Sequence, residues 1–301
     1  MNILKKHHDV NKIKIGRNDE CWCRSGKKYK QCHEEFDKRI ESFARQGHIV
    51  PDRSIIKTPE QISGIKESAV INRRCLDEVA KQIHIGMSTR EIDDIINTVT
   101  KEAGAIPAPL NYENFPKSVC TSINEQVCHG IPSEDVILKD GDIINVDCST
   151  ILNGYFSDSS RMFCMGDVSP EKKRLVDVTL ECVKIGFENV KPWTFMGDMS
   201  EAIHNHVKKN GYTVVREIGG HGIGLEFHED PWVSFTAKAG TQMLMVPGMI
   251  FTIEPMVNMG RQEIFTDPVN KWEVYTQDGM PSAQWEYQVL VTEAGVELIC
   301  W

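Results

Sequence analysis

One plan of residues occurs twice in this chain, and that repeat constrains the fold more than any single motif. Thr58-Pro59-Glu60-Gln61 offers a helix cap, a proline at the first helical position and a glutamine that can close a capping box. Ile62, Ile65, Ala69, Leu76, Val79 and Ile83 then recur at helical spacing up to Gly86, and Ser88-Thr89-Arg90-Glu91 opens a second helix ending at Gly104. Ser169-Pro170 starts another long helix to about Val190, and Asp198 caps a fourth that stops at Gly211. After each helix pair comes His-Gly-Ile, at His129-Gly130-Ile131 and His221-Gly222-Ile223. A strand-like run ending in an acid follows each, Gly141 to Asp147 and Gly248 to Glu254, with matching glycine, isoleucine, aliphatic and acid positions. Two related α/β halves are expected, each donating a histidine loop and a carboxylate-bearing strand to one cleft.

The Asn153-Gly154 pair sharpens this. Asn-Gly between β-prone runs is the strongest short hairpin signal, because both residues tolerate the positive φ of a type I′ turn. Leu152 then pairs with Tyr155, and Ser149 lies opposite Asp158. Asp147, two residues from Ser149, shares a face with Asp158. Two carboxylates there repel unless a cation lies between them, and hard oxygen ligands suit a divalent metal. Glu254 ends an apolar strand, and Glu286 interrupts the run Trp285 to Val291. Charged residues are seldom buried unless paired or metal-bound. His221, inside Gly219-Gly220-His221-Gly222-Ile223-Gly224, has glycines that would let the backbone approach a metal or ligand. His228 lies between Phe227 and Glu229, and its surroundings alone leave it open between structure and catalysis. His204 and His206 sit with Lys208 and Lys209 on a helix surface, and His84 near a helix end. The chain has no His-Glu-x-x-His, Gly-x-Ser-x-Gly or phosphate-binding Gly-x-x-x-x-Gly-Lys motif.

Composition adds a boundary. Residues 1–40 hold eleven basic and six acidic side chains, while the remaining 261 hold 23 and 37. A basic head therefore precedes an acidic body, and basic segments are drawn to polyanions. A head at 1–40, a linker at 41–57 around Gly47 and Pro51, and a body at 58–301 are expected. Met1 to Val10 carries Lys5, Lys6, His7 and His8 without an apolar stretch, unlike a secretory signal. No apolar run suits a membrane span, and ten cysteines without a signal suggest reduced thiols in the cytoplasm.

Residues 58–301 resemble the type I methionine aminopeptidases. The motifs are Pro116-Lys117-Ser118-Val119-Cys120, Val127-Cys128-His129-Gly130-Ile131-Pro132, Asn145-Val146-Asp147, Gly220-His221-Gly222-Ile223-Gly224, Thr252-Ile253-Glu254-Pro255 and Ser282-Ala283-Gln284-Trp285-Glu286. The resemblance implies an α+β pita-bread fold, two pseudo-symmetric halves around a central antiparallel sheet. It implies an enzyme that removes the initiator methionine from nascent polypeptides, and a monomer is expected, although the residues themselves do not fix the oligomeric state. It implies two divalent ions (cobalt, manganese, iron or zinc) on Asp147, Asp158, His221, Glu254 and Glu286, with Asp158 and Glu286 bridging. By the same analogy His129 contacts the scissile amide, His228 stabilises the tetrahedral intermediate and Glu254 shuttles the proton. The methionine pocket would comprise Tyr112, Phe115, Cys120, Phe227 and Trp272, with Phe115 standing where many relatives carry tyrosine. Proline-specific pita-bread peptidases share the ligand plan but usually carry a large N-terminal domain, and a non-enzymatic ribosome-binding adaptor would have no use for clustered acids. The head, Cys21-x-Cys23, eight residues, then Cys32-His33, resembles the SEC-C motif. Three thiolates and an imidazole form a tetrahedral zinc set, and so short a segment would hardly fold without the ion. Its charge suggests docking to ribosomal RNA or protein.

Overall fold

The computed structural model describes residues 15–301. Met1 to Val10, the stretch whose lack of an apolar region argues against a secretory signal, lies outside the described residues, as does the start of the expected head. Among the described residues five α-helices appear in order: α1 Glu34–Arg45, α2 Pro59–Gln82, α3 Thr89–Glu102, α4 Pro170–Asn189 and α5 Met196–Lys209. The caps form as their residues require. Thr58 Oγ1 accepts from the Gln61 amide while Gln61 Oε1 accepts from that of Thr58, at 3.3 and 2.8 Å. Ser88 and Glu91 make the same reciprocal pair on α3. Helix α5 begins two residues before the expected cap: Asp198 lies inside its first turn and reaches back to accept from the Phe195 amide at 3.0 Å.

The two helix pairs cover two antiparallel sheets. In the first, the strand Ile143–Leu152 pairs along its length with Tyr155–Cys164, and its other edge takes Cys120–Ile123 and Ile106–Pro107. Leu76 and Val79 of α2 and Ile92 and Ile96 of α3 bury against Ile144 and Val146. The second sheet runs Gly295–Cys300, Tyr287–Thr292, Ile250–Ile253, Gly220–Gly222 and Glu229–Val233. There Val178 and Cys182 of α4 and Ile203 and Val207 of α5 bury against Phe251 and Ile253. Each such aliphatic contributes about 1.5–3 kcal/mol relative to exposure, so the sheets are positioned by apolar burial and not by their ion pairs. A bridge between Ser160 and Glu286, just before the strand Tyr287–Thr292, joins the two sheets, completing the pita-bread arrangement of two halves.

The expected boundary at 40/41 falls inside α1. Phe36, Ile40 and Phe43 lie on one face of that helix, and Ile40 belongs to the core of the second half. Phe36 meets the Trp193 ring edge-on at 5.3 Å, and the Arg39 guanidinium lies 3.9 Å over the same ring. Residues 41–57 are likewise docked: Ile49 pairs with Met243, and Ile56 with Met249. The apolar face of α1, and beyond it the bridges of Ile49 and Ile56, are the reason this stretch packs where a linker is expected. No helix among the described residues is long and apolar enough to cross a membrane.

Candidate metal centre

The first half builds its share on the Asn153-Gly154 hairpin. Both residues are left-handed, φ 52° and 84°, as a type I′ turn demands. The register is Leu152 opposite Tyr155, Ser149 opposite Asp158 and Asp147 opposite Ser160. Asp147 and Asp158 are therefore diagonal neighbours on one face. Ser149 donates to Asp158 Oδ1 at 2.7 Å.

The second half faces them with three groups. His221 Nε2 lies 3.8 Å from Asp158 Oδ2 and 3.6 Å from Glu254 Oε1. Its Nδ1 sits 3.0 Å from the Gly222 carbonyl, an acceptor only, so Nδ1 carries the hydrogen and the Nε2 lone pair points into the cleft. Glu254 Oε1 accepts from Thr252 Oγ1 at 2.6 Å, and Oε2 from Gln284 Nε2 at 3.0 Å. Glu286 is 1% exposed, and neither of its carboxylate oxygens has a hydrogen-bond partner among the described residues. Ligand atoms of Asp158, His221 and Glu286 all lie within 4.8 Å of one another.

The electrostatics follow from this packing. Burial pushes Asp147 up to about 7 and Glu254 up to about 8. Burial, then the neighbouring carboxylates, holds Asp158 and Glu286 well above the ordinary carboxylate range. Four carboxyls in so dry a place ionise together only with compensating positive charge. The two orphaned oxygens of Glu286 ask for the same thing. This donor set, carboxylate oxygens with one imidazole, fits divalent cations.

The flanking glycines serve the strands more than the metal. A Cβ at Gly220 would lie 2.5 Å from the Thr252 carbonyl, and one at Gly222 2.1 Å from that of Asp230. Close backbone approach between neighbouring strands, and not approach to a ligand, excludes side chains there.

In the head, the four expected zinc ligands also converge. Cys23 Sγ and Cys32 Sγ are 3.6 Å apart, and His33 Nδ1 lies 3.2 Å from Cys21 Sγ and 3.1 Å from Cys32 Sγ. Ligand atoms of all four lie within 4.8 Å of one another. The thiols are free.

With this geometry in place, likeness to known proteins is informative. Residues 63–293 match metallopeptidase family M24, and residues 17–35 match the SEC-C motif. The methionine aminopeptidase of Chlamydia pneumoniae is 43% identical over 286 residues, 94% of this chain and 98% of that protein. The chain belongs to metallopeptidase family M24. The methionine aminopeptidase of Escherichia coli K12 is 42% identical over 245 residues, 81% of this chain and 92% of that protein. A crystal structure of methionine aminopeptidase from Rickettsia prowazekii aligns with TM-score 0.80 and 39% identity, covering 82% of this chain and 99% of that one. Within the family the chain thus falls among the methionine aminopeptidases. The chlamydial match is longer than residues 58–301, so it extends into the segment before the body.

The remaining expected residues gather beside the carboxylates. His129 is held at φ 57°, and its ring meets that of Trp272 edge-on at 5.8 Å. Desolvation lowers the His129 and His221 imidazoles to about 4, so both are neutral at pH 7. His228 opens to solvent at the cleft, 4.3 Å from the His221 ring centroid, with Nδ1 3.0 Å from Tyr112 Oη. Tyr112 packs on Phe227 at 4.9 Å, Phe115 on Trp272 at 5.2 Å, and Cys120 pairs opposite Asp147. Thr252 and Gln284 hold Glu254, and Asn145 braces the strands beside Asp147, although the motifs assign none of the three a role. Asn145, Thr252 and Gln284 each stand two residues before Asp147, Glu254 and Glu286 and share their strand faces, a spacing that could have flagged them. Asn145 Nδ2 donates to Ser160 Oγ and to the Gln284 carbonyl, at 3.0 and 2.7 Å. Phe156, stacked on Phe227 at 6.1 Å, was missed as well.

Proposed function

We propose that this chain hydrolyses the peptide bond after an N-terminal methionine, using two divalent ions held by Asp147, Asp158, His221, Glu254 and Glu286. The observation that carries the reading is the convergence of four desolvated carboxyls and one Nε2 lone pair from both halves on one cleft. Bound there, such ions supply Lewis acidity toward the scissile carbonyl and acidify water. Asp158 and Glu286 would be shared by the two ions, and Glu254, fixed at both oxygens by Thr252 and Gln284, would take and return the proton. His129 holds the scissile amide. His228 presents Nε2 to the developing oxyanion while Tyr112 Oη engages Nδ1, an arrangement set before substrate arrives. Tyr112, Phe115, Cys120, Phe227 and Trp272 form the side-chain pocket, an apolar, sulfur-bearing wall suited to a flexible thioether. The substrates are free peptide N-termini, including those of nascent chains.

The test is methionine release from Met-Ala-Ser by metal-stripped protein after adding back cobalt, manganese, iron or zinc in turn, beside an Xaa-Pro peptide. Release that returns with metal, spares the Xaa-Pro peptide and is lost in Asp147→Asn supports the site and the reaction together. No release with any ion by folded protein would overturn it.

The head holds one structural zinc on Cys21, Cys23, Cys32 and His33. Arg17, Arg24, Lys27, Lys28 and Lys30 are exposed around it, and this basic face docks on the ribosome, bringing the cleft to emerging chains. Unchanged ribosome co-sedimentation of a Lys27→Glu/Lys28→Glu variant would count against the docking.

A further inference from the structure

A lysine is almost never fully buried unless it is paired. Lys57, the last residue before the cap of α2, has a side chain only 1% exposed, with Nζ 2.7 Å from Glu229 Oε1. The lysine is fixed from behind. Its amide donates to the Gly248 carbonyl at 2.8 Å, and Ile56 before it pairs with Met249. The same Glu229 oxygen accepts from the Leu225 amide at 3.2 Å. A Cβ on Gly224 would lie 2.5 Å from Ile65 Cδ1 and 3.2 Å from Lys57 Cε, so the bare glycine lets both side chains pack against the loop. One carboxylate thus ties together both ends of the loop 224–229. That loop carries Phe227 and His228, and Gly224 is held to the hairpin by its carbonyl, which accepts from the Phe156 amide at 2.9 Å.

A buried ion pair is poor evidence of net stabilisation, because an apolar pair of similar volume often serves as well. Its directional geometry is what an apolar pair cannot supply. We propose that Lys57 and Glu229 form a positioning device for His228: the pair sets the loop from behind while Tyr112 Oη sets the imidazole from the front. The inference rests on the role given to His228 above.

The experiment compares Glu229→Gln, His228→Ala and the double variant, with metal content and circular dichroism recorded for each. Glu229→Gln should lower kcat about tenfold or more with KM and metal content little changed, since misplacement near 1 Å costs up to about a hundredfold. In the His228→Ala background the second change should cost nothing further. The double substitution Lys57→Met/Glu229→Leu, which removes both charges and should fold like the parent, should keep kcat low. A kcat that holds in Glu229→Gln while His228→Ala lowers it overturns the role of the pair alone. An equal loss with and without His228 overturns action through that residue. A kcat untouched by His228→Ala sinks both readings. A Lys57→Met/Glu229→Leu protein with full kcat would also overturn the proposal.

Discussion

The cleft and the head each gather metal-ligating side chains, yet they are built in opposite ways. In the head, Cys21, Cys23, Cys32 and His33 lie within thirteen residues of chain. The buried apolar cluster there is Cys21, Cys23 and Tyr29, so two of its three members are themselves candidate ligands. In the cleft, the five candidate ligands span Asp147 to Glu286 and ride on two sheets whose helices bury large aliphatic cores. A local site with hardly any core forms when its ion binds. A site assembled by tertiary structure stands before the ion arrives, and the price is four carboxyls desolvated side by side. On the proposed reading, metal capture is coupled to folding in the head and only to function in the cleft.

The largest effect expected from this difference is in Asp147→Asn. Losing a candidate ligand at a preformed site should cut kcat/KM for Met-Ala-Ser by about a thousandfold or more, roughly 4 kcal/mol of transition-state stabilisation. The melting temperature of the metal-free variant should not fall, because a repelling carboxylate has been removed. A large loss of stability in the variant would break the comparison.

Next comes pH. Asp147 and Glu254 hold their protons up to about 7 and about 8 in the folded, metal-free cleft, against about 4 for unfolded carboxyls. Between those values the folded state binds more protons, so stability of metal-free protein should fall as pH rises from about 4 to 8. Metal must displace those protons, so its apparent affinity should rise over the upper part of that window. Thermal melts and metal titrations at pH 5.5, 6.5 and 7.5 check both. A flat stability profile would mean that the carboxyls are better solvated than the structure shows.

The head should answer differently. Cys23→Ser should lose one equivalent of zinc and expose residues 15–33 to protease, while peptide cleavage by the body falls far less than in Asp147→Asn. Equal losses of activity would mean that the head contributes to the cleft directly.

How much of this was legible in the sequence depended on how local the determining interaction is. The Asn153-Gly154 turn gave the hairpin register residue by residue, because a two-residue type I′ turn leaves one pairing. The capping boxes of α2 and α3 were legible for the same reason. The expected boundary at 40/41 falls within α1 because charged residues around Ile40 and Phe43 mask an apolar face that only Trp193 and the α4–α5 core reveal. The Lys57–Glu229 pair had no signal at all. Its partners are 172 residues apart, and each looks like an ordinary surface charge.

A matched pair of glycine substitutions isolates the contrast with the smallest perturbation. Gly26 in the head and Gly154 in the hairpin have φ of 72° and 84°, and a Cβ at either would meet nothing within 4 Å. Alanine therefore carries only the cost of a left-handed L-residue, about 1–2 kcal/mol at each site. At Gly154 the hairpin is held by ten paired positions and by the core behind it, so the turn should absorb the strain. The melting temperature should then drop by a few degrees, with kcat/KM unchanged. At Gly26 the strain falls on a segment with little core to resist it, and binding of the ion has to make up the deficit. Zinc affinity there should weaken by about tenfold, the same energy expressed as an equilibrium constant. Competition with a calibrated chelator measures the second effect, and calorimetry the first. If Gly154→Ala weakened metal binding in the cleft as much as Gly26→Ala weakens it in the head, the cleft would be no more preformed than the head.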